Sequence, residues 1–325
     1  MTKYYQNIGL WLLLSLLITA CSKDGADGND VTKPNEEAKE IRFNADVWKM
    51  AEATRATTFD NAAALQGEGF TCTAYDANTA TPNEYAGINA ESVTWSGSRW
   101  VIADGPHHWP TSGNLDFFAY MPKAGSLPSY ITAGPTYTAT SSPSVTHDVT
   151  FTCTSLPMTN AGQGSGLNEF IYAMTLGQNK DNAGAGVNLT FQHPFARIIL
   201  QFSNSQENIQ INTITLKNIK NNGSYTHSSG WTPSGDATNL VLTFEGNAAN
   251  FDANEEIGTY LMIPQEWTGG IDVNATWNVW GESQTKTVST TLSSITWQRG
   301  NSYTYTFTVT PTDLTVNTSK FTEQW

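Results

Sequence analysis

YTYTFTVTP, residues 303 to 311, alternates large apolar side chains with threonine. Tyr303, Tyr305, Phe307 and Val309 fall on one face and Thr304, Thr306 and Thr308 on the other, the period-two pattern of a strand with one face in a core. The same alternation recurs from about residue 92 onward, in SVTWSGSRWVI, LDFFAYMP, HDVTFTCTSL, INTITLKNI, NLVLTF and DVNATWNVW. Gly, Asn, Asp, Ser or Pro break it at roughly ten-residue intervals, as turns between antiparallel strands would. Each strand is expected to turn one face to a core and the other to solvent or to a cross-strand threonine ladder. Past residue 60 no segment sustains an apolar repeat of 3.6 residues, so almost no helix is expected; only EEAKEIR and DVWKMAEATR could coil briefly. The reading is an all-β fold of antiparallel β-sandwiches, and 325 residues with 39% hydrophobic content favour two of them in series.

The glycine-rich stretch GQNKDNAGAG, residues 177 to 186, is the expected boundary between an N-terminal sandwich over 41–180 and a C-terminal sandwich over 187–325. TAGPTYTATSSPSVTHD reads as a long loop holding one strand. In VNLTFQHPFARIILQF, Val187, Leu189 and Phe191 share one parity, whereas Ile198, Leu200 and Phe202 share the other. Such a switch needs a bulge or a break, and Pro194 sits where it would fall. His193 beside it reads as a packed structural histidine, since no second ligand-type residue is near in sequence.

The N-terminus has the form of an export signal. Lys3 supplies positive charge, and Ile8 to Ile18 make an apolar run too short to span a bilayer. The run ends in Ile18-Thr19-Ala20-Cys21, which resembles a bacterial lipobox; residues 1–20 are then a lipoprotein signal peptide and Cys21 is the acylated residue. Acyl chains on Cys21 would anchor the chain in a membrane without spanning it. SKDGADGND follows, acidic and without apolar residues, so 21–40 reads as a flexible tether. Asp24, Asp27 and Asp30 do not match a defined calcium loop. The whole chain carries a formal charge of −13; without residues 1–20 it has 15 Lys and Arg against 29 Asp and Glu, or −14. That surface repels nucleic acid and anionic lipid. Cys72 and Cys153 form a candidate disulfide pair in an oxidising compartment, with paired and free states both open.

Catalytic signatures are missing. Gln163 stands where GxSxG needs its first glycine before Ser165, and GAG at 184–186 follows no strand-to-helix pattern. His107 and His108, being adjacent, would face opposite sides of a strand and cannot chelate one metal. No catalytic residue, metal ligand or cofactor is expected, and the chain does not read as an enzyme. Trp95, Trp100, Trp109, Trp267, Trp277 and Trp280 suit a sandwich core, with sugar-stacking platforms as the alternative.

Several blocks recur in a familiar order: the lipobox, TRAT at 54–57, HHWPTSGNLDFFAYMP, LTFQHPFARIILQF, and GNSYTYTFTV followed by a short strand closing on Trp325. Together they resemble the fimbrillin family, the pilin-like lipoproteins of Bacteroides-type bacteria that build type V pili. The resemblance implies two transthyretin-like sandwich domains and export to the outer membrane, exposed at the surface, with passage into a fimbrium after maturation. It implies cleavage by an arginine-specific protease, and the matching bond here is Arg55-Ala56. Loss of the first strand would open a groove that a strand from a neighbouring subunit fills. LTVNTSKFTEQW could be that donor, with Leu314, Val316, Phe321 and Trp325 as plugs, although the parity slips between Val316 and Phe321; the other placement open to it is its own C-terminal domain. Implied partners are other pilin subunits, the protease, outer-membrane lipid through Cys21, and host or bacterial surface ligands, but not nucleic acid. The competing reading is a glycan-binding cell-surface lipoprotein.

Overall fold

A computed structural model describes residues 39–47, 62–79, 83–140, 146–159, 169–203, 209–244, 255–279, 282–310 and 313–324. Cys21, Arg55, Ala56 and Trp325 lie outside the described residues.

The alternating stretch around Tyr303 becomes β20 (Asn301–Val309), a central strand. It pairs in parallel with β10 (Ala196–Phe202) and antiparallel with β21 (Leu314–Gln324), and β15 (Glu255–Met262) lies on the far side of β10. Tyr303, Tyr305, Phe307 and Val309 are buried as their parity requires, together with Ile198, Leu200 and Phe202 of β10. A second sheet packs on this one, in the order β14 (Thr238–Thr243), β11 (Ile209–Ile219), β17 (Gly270–Val279) and β18 (Glu282–Thr291). It contributes Ile211, Ile214, Leu216, Leu240, Leu242, Ile271 and Val273 to the same core. Polar pairs run across its strands away from that core, with Asn212 Nδ2 donating to Asn274 Oδ1 at 2.9 Å and Thr276 and Thr285 hydroxyls 2.8 Å apart. The register shift between Ile211 and Thr213 is a bulge that lets Ile211 and Ile214, of opposite parity, both point inward. The end of this sandwich carries a small ribbon, β16 (Glu266–Trp267) against β19 (Ile295–Thr296), where Trp267 stacks on Trp297 with ring centroids 5.0 Å apart.

The N-terminal core is built on a five-stranded sheet ordered β4 (Trp100–Ile102), β3 (Glu91–Trp95), β2 (Phe70–Asp76), β5 (Leu115–Met121) and β8 (Ile171–Gln178). Its two faces are both covered. Phe70, Cys72, Ala74, Phe117, Ala119, Ile171 and Ala173 pack with a parallel pair, β1 (Phe43–Val47) and β9 (Val187–Phe191). Tyr75, Phe118, Phe170 and Tyr172 pack into a different cluster. Burial on both faces explains why β2 and β5 are buried almost throughout instead of turning one face to water.

That different cluster belongs to a sheet made by both halves of the chain. Its order is β13 (Gly230–Ser234), β12 (Asn222–Thr226), β7 (Thr146–Cys153) and β6 (Ile131–Thr140), and Gly223–Thr226 pair antiparallel with Thr150–Cys153. Phe151, Tyr172, Phe195, Tyr225, Leu261 and Ile263 fill the space beneath it. Residues 38–325 accordingly gather into one compact unit.

The parity switch in VNLTFQHPFARIILQF marks a change of core. Val187, Leu189 and Phe191 enter the N-terminal core, the chain breaks at His193-Pro194, and Ile198, Leu200 and Phe202 enter the C-terminal one. Residues 177–186, read as the boundary, instead join β8 to β9 inside the N-terminal core, with Asn179 Oδ1 accepting from Asp181 N and Asn182 N. The segment read as a long loop forms most of the β6–β7 pair, because Tyr137 and Val149 are core residues that cross-strand bonds hold inward. A short helix, α1 (Ala62–Glu68), buries Leu65; of EEAKEIR and DVWKMAEATR, residues 36–38 and 48–55 lie outside the described residues, and Asp46 and Val47 end the strand Phe43–Val47, to which β9 offers a ladder.

Candidate functional site

The N-terminal core is completed by β1 and the residues just before it. Ile41, Phe43 and Val47 are each no more than 5% exposed. The Phe43 ring meets Phe70 and Phe117 edge-on at 6.0 and 5.6 Å, a geometry that aromatic quadrupoles favour. The backbone is held on two sides: Ile41 N donates to His107 O at 2.7 Å, Trp109 N to Lys39 O at 3.0 Å, and Val187 N to Arg42 O at 2.7 Å. From Phe43 onward the strand runs in register with β9, Phe43 opposite Val187 and Val47 opposite Phe191. The ion pairs outside this plug, Glu40 with Arg42 at 2.7 Å and with Arg99 at 3.6 Å, are exposed and contribute little. Apolar burial and ladder bonds therefore hold β1. Alongside it runs a groove of about 710 Å3 lined by Asn44, Asp46, Trp95, Arg99 and Asn188 among others.

The C-terminal strand is seated on its own chain. β21 forms the edge of its sheet, with Leu314 opposite Val309 and Val316 opposite Phe307. Leu314 is buried in the C-terminal core and Val316 packs partly against it. The register shifts between Asn301 and Ser302, so that Ser302 faces Phe321 while Asn301 faces Gln324. The shift falls beyond Phe321, and pairing from Leu314 to Phe321 is unbroken, so Phe321 keeps the parity opposite to that of Leu314 and Val316. The four sequence-predicted plugs thus divide: Leu314 and Val316 fill their own core, Phe321 is placed by its backbone register, and Trp325 lies outside the described residues.

Cys72 and Cys153, the candidate pair, are both free buried thiols. They lie in separate clusters, because Cys72 faces β1 and β9 while Cys153 sits on β7 in the sheet shared by both halves. Burial alone pushes the Cys72 thiol far up, and burial pushes that of Cys153 up to about 12 against a smaller opposing bond from Leu156. Neither cysteine is expected to be modified by a thiol reagent in the native chain, and both are expected to react after denaturation, as peptide mass mapping will show.

Two buried polar networks carry no local sequence signal. Asp116 accepts from Gly177 N and from the Tyr137 hydroxyl, both at 2.6 Å, and lies 2.7 Å from His147 Nδ1. Burial first, and then the Asp116 carboxylate, push the Tyr137 hydroxyl far up, so it stays a donor. The second network joins the halves. The Tyr172 hydroxyl is 2.7 Å from both Tyr225 Oη and His227 Nδ1, and Arg299 Nη1 donates to Tyr225 Oη and to His227 O. Burial, with the Arg299 charge second, lowers the His227 pKa and keeps the imidazole neutral. His193, read as structural, is buried 2.7 Å from Glu169. Trp100, Trp109 and Trp267 are core residues as the sandwich reading expects, and Trp95 is half-buried.

A family model described as fimbrillin-like matches residues 54–325. Among solved structures, a fimbrial protein from Bacteroides vulgatus is 16% identical with a TM-score of 0.59, covering 87% of this chain and 98% of its own. A candidate cell adhesion protein from Bacteroides ovatus is 16% identical with a TM-score of 0.55, over 89% of this chain and 98% of its own. Another, from Bacteroides uniformis, is 13% identical with a TM-score of 0.52, over 89% and 99%. At such identities these likenesses establish the fold. No curated protein matches the chain.

Proposed function

Because the chain belongs to the fimbrillin-like family, we propose that it is a subunit of a cell-surface fimbrium, a structural and adhesive protein with no catalytic role. In this reading it is exported as an outer-membrane lipoprotein through Cys21, cleaved at Arg55-Ala56, and joined to other subunits by strand exchange. The observation that carries the reading is β1. A short N-terminal strand plugs the first core with Ile41, Phe43 and Val47, and it ends at Val47, ahead of both Arg55 and the start of the family match at residue 54. Cutting after Arg55 would turn this plug into a separate peptide held without a covalent link, chiefly by apolar burial and ladder bonds. Burial of each large side chain is worth roughly 1.5–3 kcal/mol, so the plug leaves readily only when another strand replaces it.

The C-terminal strand suits that replacement. As an edge strand it can peel from β20 without breaking the rest of its sheet, and Leu314 and Val316 present apolar side chains at alternate positions. The N-terminal core, which includes β9, is then the acceptor and the C-terminal core supplies the donor. The exposed edge left on either core would be a liability in isolation, and subunit pairing covers it.

The test is limited digestion of the chain lacking residues 1–20 with an arginine-specific protease. N-terminal sequencing is expected to show a fragment starting at Ala56, and gel analysis without boiling is expected to show a ladder of oligomers. A resistant Arg55-Ala56 bond, or a cleaved chain that stays monomeric, counts against the reading.

A further inference from the structure

A concavity of about 1040 Å3 opens between the β12–β13 hairpin and the ribbon of β16 and β19. The proposed assembly makes no use of it, since neither β1 nor β21 contributes to its lining. Its chemistry stands out against the rest of the chain. The protein carries a formal charge of −13, yet Lys220 and Arg299 line this groove against a single carboxylate, Glu266, a local balance of two positive charges to one negative.

Arg299 is fixed from behind. Its Nη1 donates to Tyr225 Oη and to His227 O, and its guanidinium carbon lies 5.8 Å from the centre of the Tyr225 ring. The guanidinium is therefore preorganised, and its other N–H groups make no bond among the described residues. Trp231 is also fixed. Its indole N–H donates to Pro194 O at 2.6 Å and Phe151 meets the ring edge-on at 5.4 Å, while the side chain stays half-exposed along the groove. The hydroxyls of Ser229, Thr268 and Thr296 supply further donors and acceptors, while that of Ser228 already donates to Asp148.

We propose that this groove binds a saccharide bearing a carboxylate, a uronic or sialic acid residue. Trp231 lies against the apolar face of a sugar ring, Arg299 takes the carboxylate through paired N–H donors, and Lys220 adds a second positive charge. The volume accommodates a short oligosaccharide. A peptide adding as a strand is disfavoured, because the groove edge is β13, an edge strand that contains Pro233 and so lacks an N–H at that position.

The test is calorimetric titration of the full chain with sialyllactose and with trigalacturonate, each beside its uncharged counterpart, lactose or the methyl-esterified trimer. Either or both acidic sugars are expected to bind, and to identify which acid the groove takes, while the uncharged sugars bind far more weakly. Lys220→Gln is expected to weaken binding about fivefold, the effect of one solvent-screened charge, and Glu266→Gln to tighten it by a similar factor. Both residues are exposed, so neither change threatens the fold. The proposal is overturned if neither acidic sugar binds at about 10 mM, if the uncharged sugars bind as tightly, or if neither variant alters affinity. A glutamate hexapeptide binding as tightly as the sugars would likewise overturn it, assigning the groove to acidic peptides.

Discussion

A chain beginning at Ala56 is expected to lose about 3–5 kcal/mol of stability in its N-terminal core, a loss of the size seen when large aromatic or aliphatic side chains are removed from packed interiors. The reason lies in what β1 covers. Ile41, Phe43 and Val47 pack with Phe70, Phe117, Leu189 and Phe191, and their removal leaves that surface open along the length of β9. Denaturant unfolding followed by tryptophan fluorescence reports the change, because Trp100 and Trp109 belong to the same cluster. A synthetic peptide of residues 39–47 added in trans is expected to restore stability in proportion to the logarithm of its concentration, by about 2.7 kcal/mol at a hundred times its Kd. The same peptide with Phe43→Asp is expected to restore nothing, since a carboxylate would be carried into an apolar site. A peptide of residues 313–324 that restores stability would favour exchange of the C-terminal strand into this groove. Unchanged stability of the shortened chain would mean that β1 is not the plug that its burial indicates.

Asp116→Ala is expected to cost about 3–5 kcal/mol, because several hydrogen-bonding groups lose their partner at once. Asp116 is 1% exposed and serves Gly177 N, the Tyr137 hydroxyl and His147 at once. Its loss removes an acceptor from the buried Tyr137 hydroxyl and from the half-buried Gly177 N, and each buried group left unpaired costs about 1–3 kcal/mol. Tyr137 also stacks on Tyr75 at 4.1 Å, so the disturbance reaches the face of the five-stranded sheet that meets the shared sheet. Gly177 N and the Tyr137 hydroxyl donate to different oxygens of Asp116, so Asp116→Asn keeps an acceptor for only one of them and is expected to cost less than Asp116→Ala. Thermal unfolding of both variants beside the parent separates the two effects; equal losses would show that the paired carboxylate oxygens, and not side-chain volume, matter at this position.

Much of the fold was legible because an antiparallel strand with one wet face writes its environment into every second residue. β20 and β14 lie where their alternation placed them, with the apolar parity buried. Strands covered on both faces lose that signal. FTCTAYD, residues 70–76, lies ahead of the stretch in which the alternation was legible, and six of its seven residues are buried because β1 and β9 lie on one side and the shared sheet on the other. The β6–β7 pair was obscured for a related reason: its Pro, Ser and Thr content signals turns, whereas β6 pairs along β7 and β7 pairs in turn with β12 from distant sequence.

The candidate site shows the same division. Local chemistry singles out a lipobox cysteine, an arginine among small residues and an apolar C-terminal strand, since each depends on neighbours in sequence. The Asp116, Tyr137 and His147 cluster, the Tyr172 network and the groove of Arg299 and Trp231 draw residues from separate strands, and nothing in sequence spacing links them.

By itself, then, the sequence determined the all-β class, the positions of the alternating strands and the parity switch at Pro194, because strand geometry ties side-chain direction to residue number. Which core each strand joins was decided only in three dimensions: β9 goes with β1 in the first core, and β12 and β13 carry the second half of the chain onto the first. Strand pairing is a long-range choice, settled by which apolar faces and ladder edges can be covered together, and period two names a face without naming its partner.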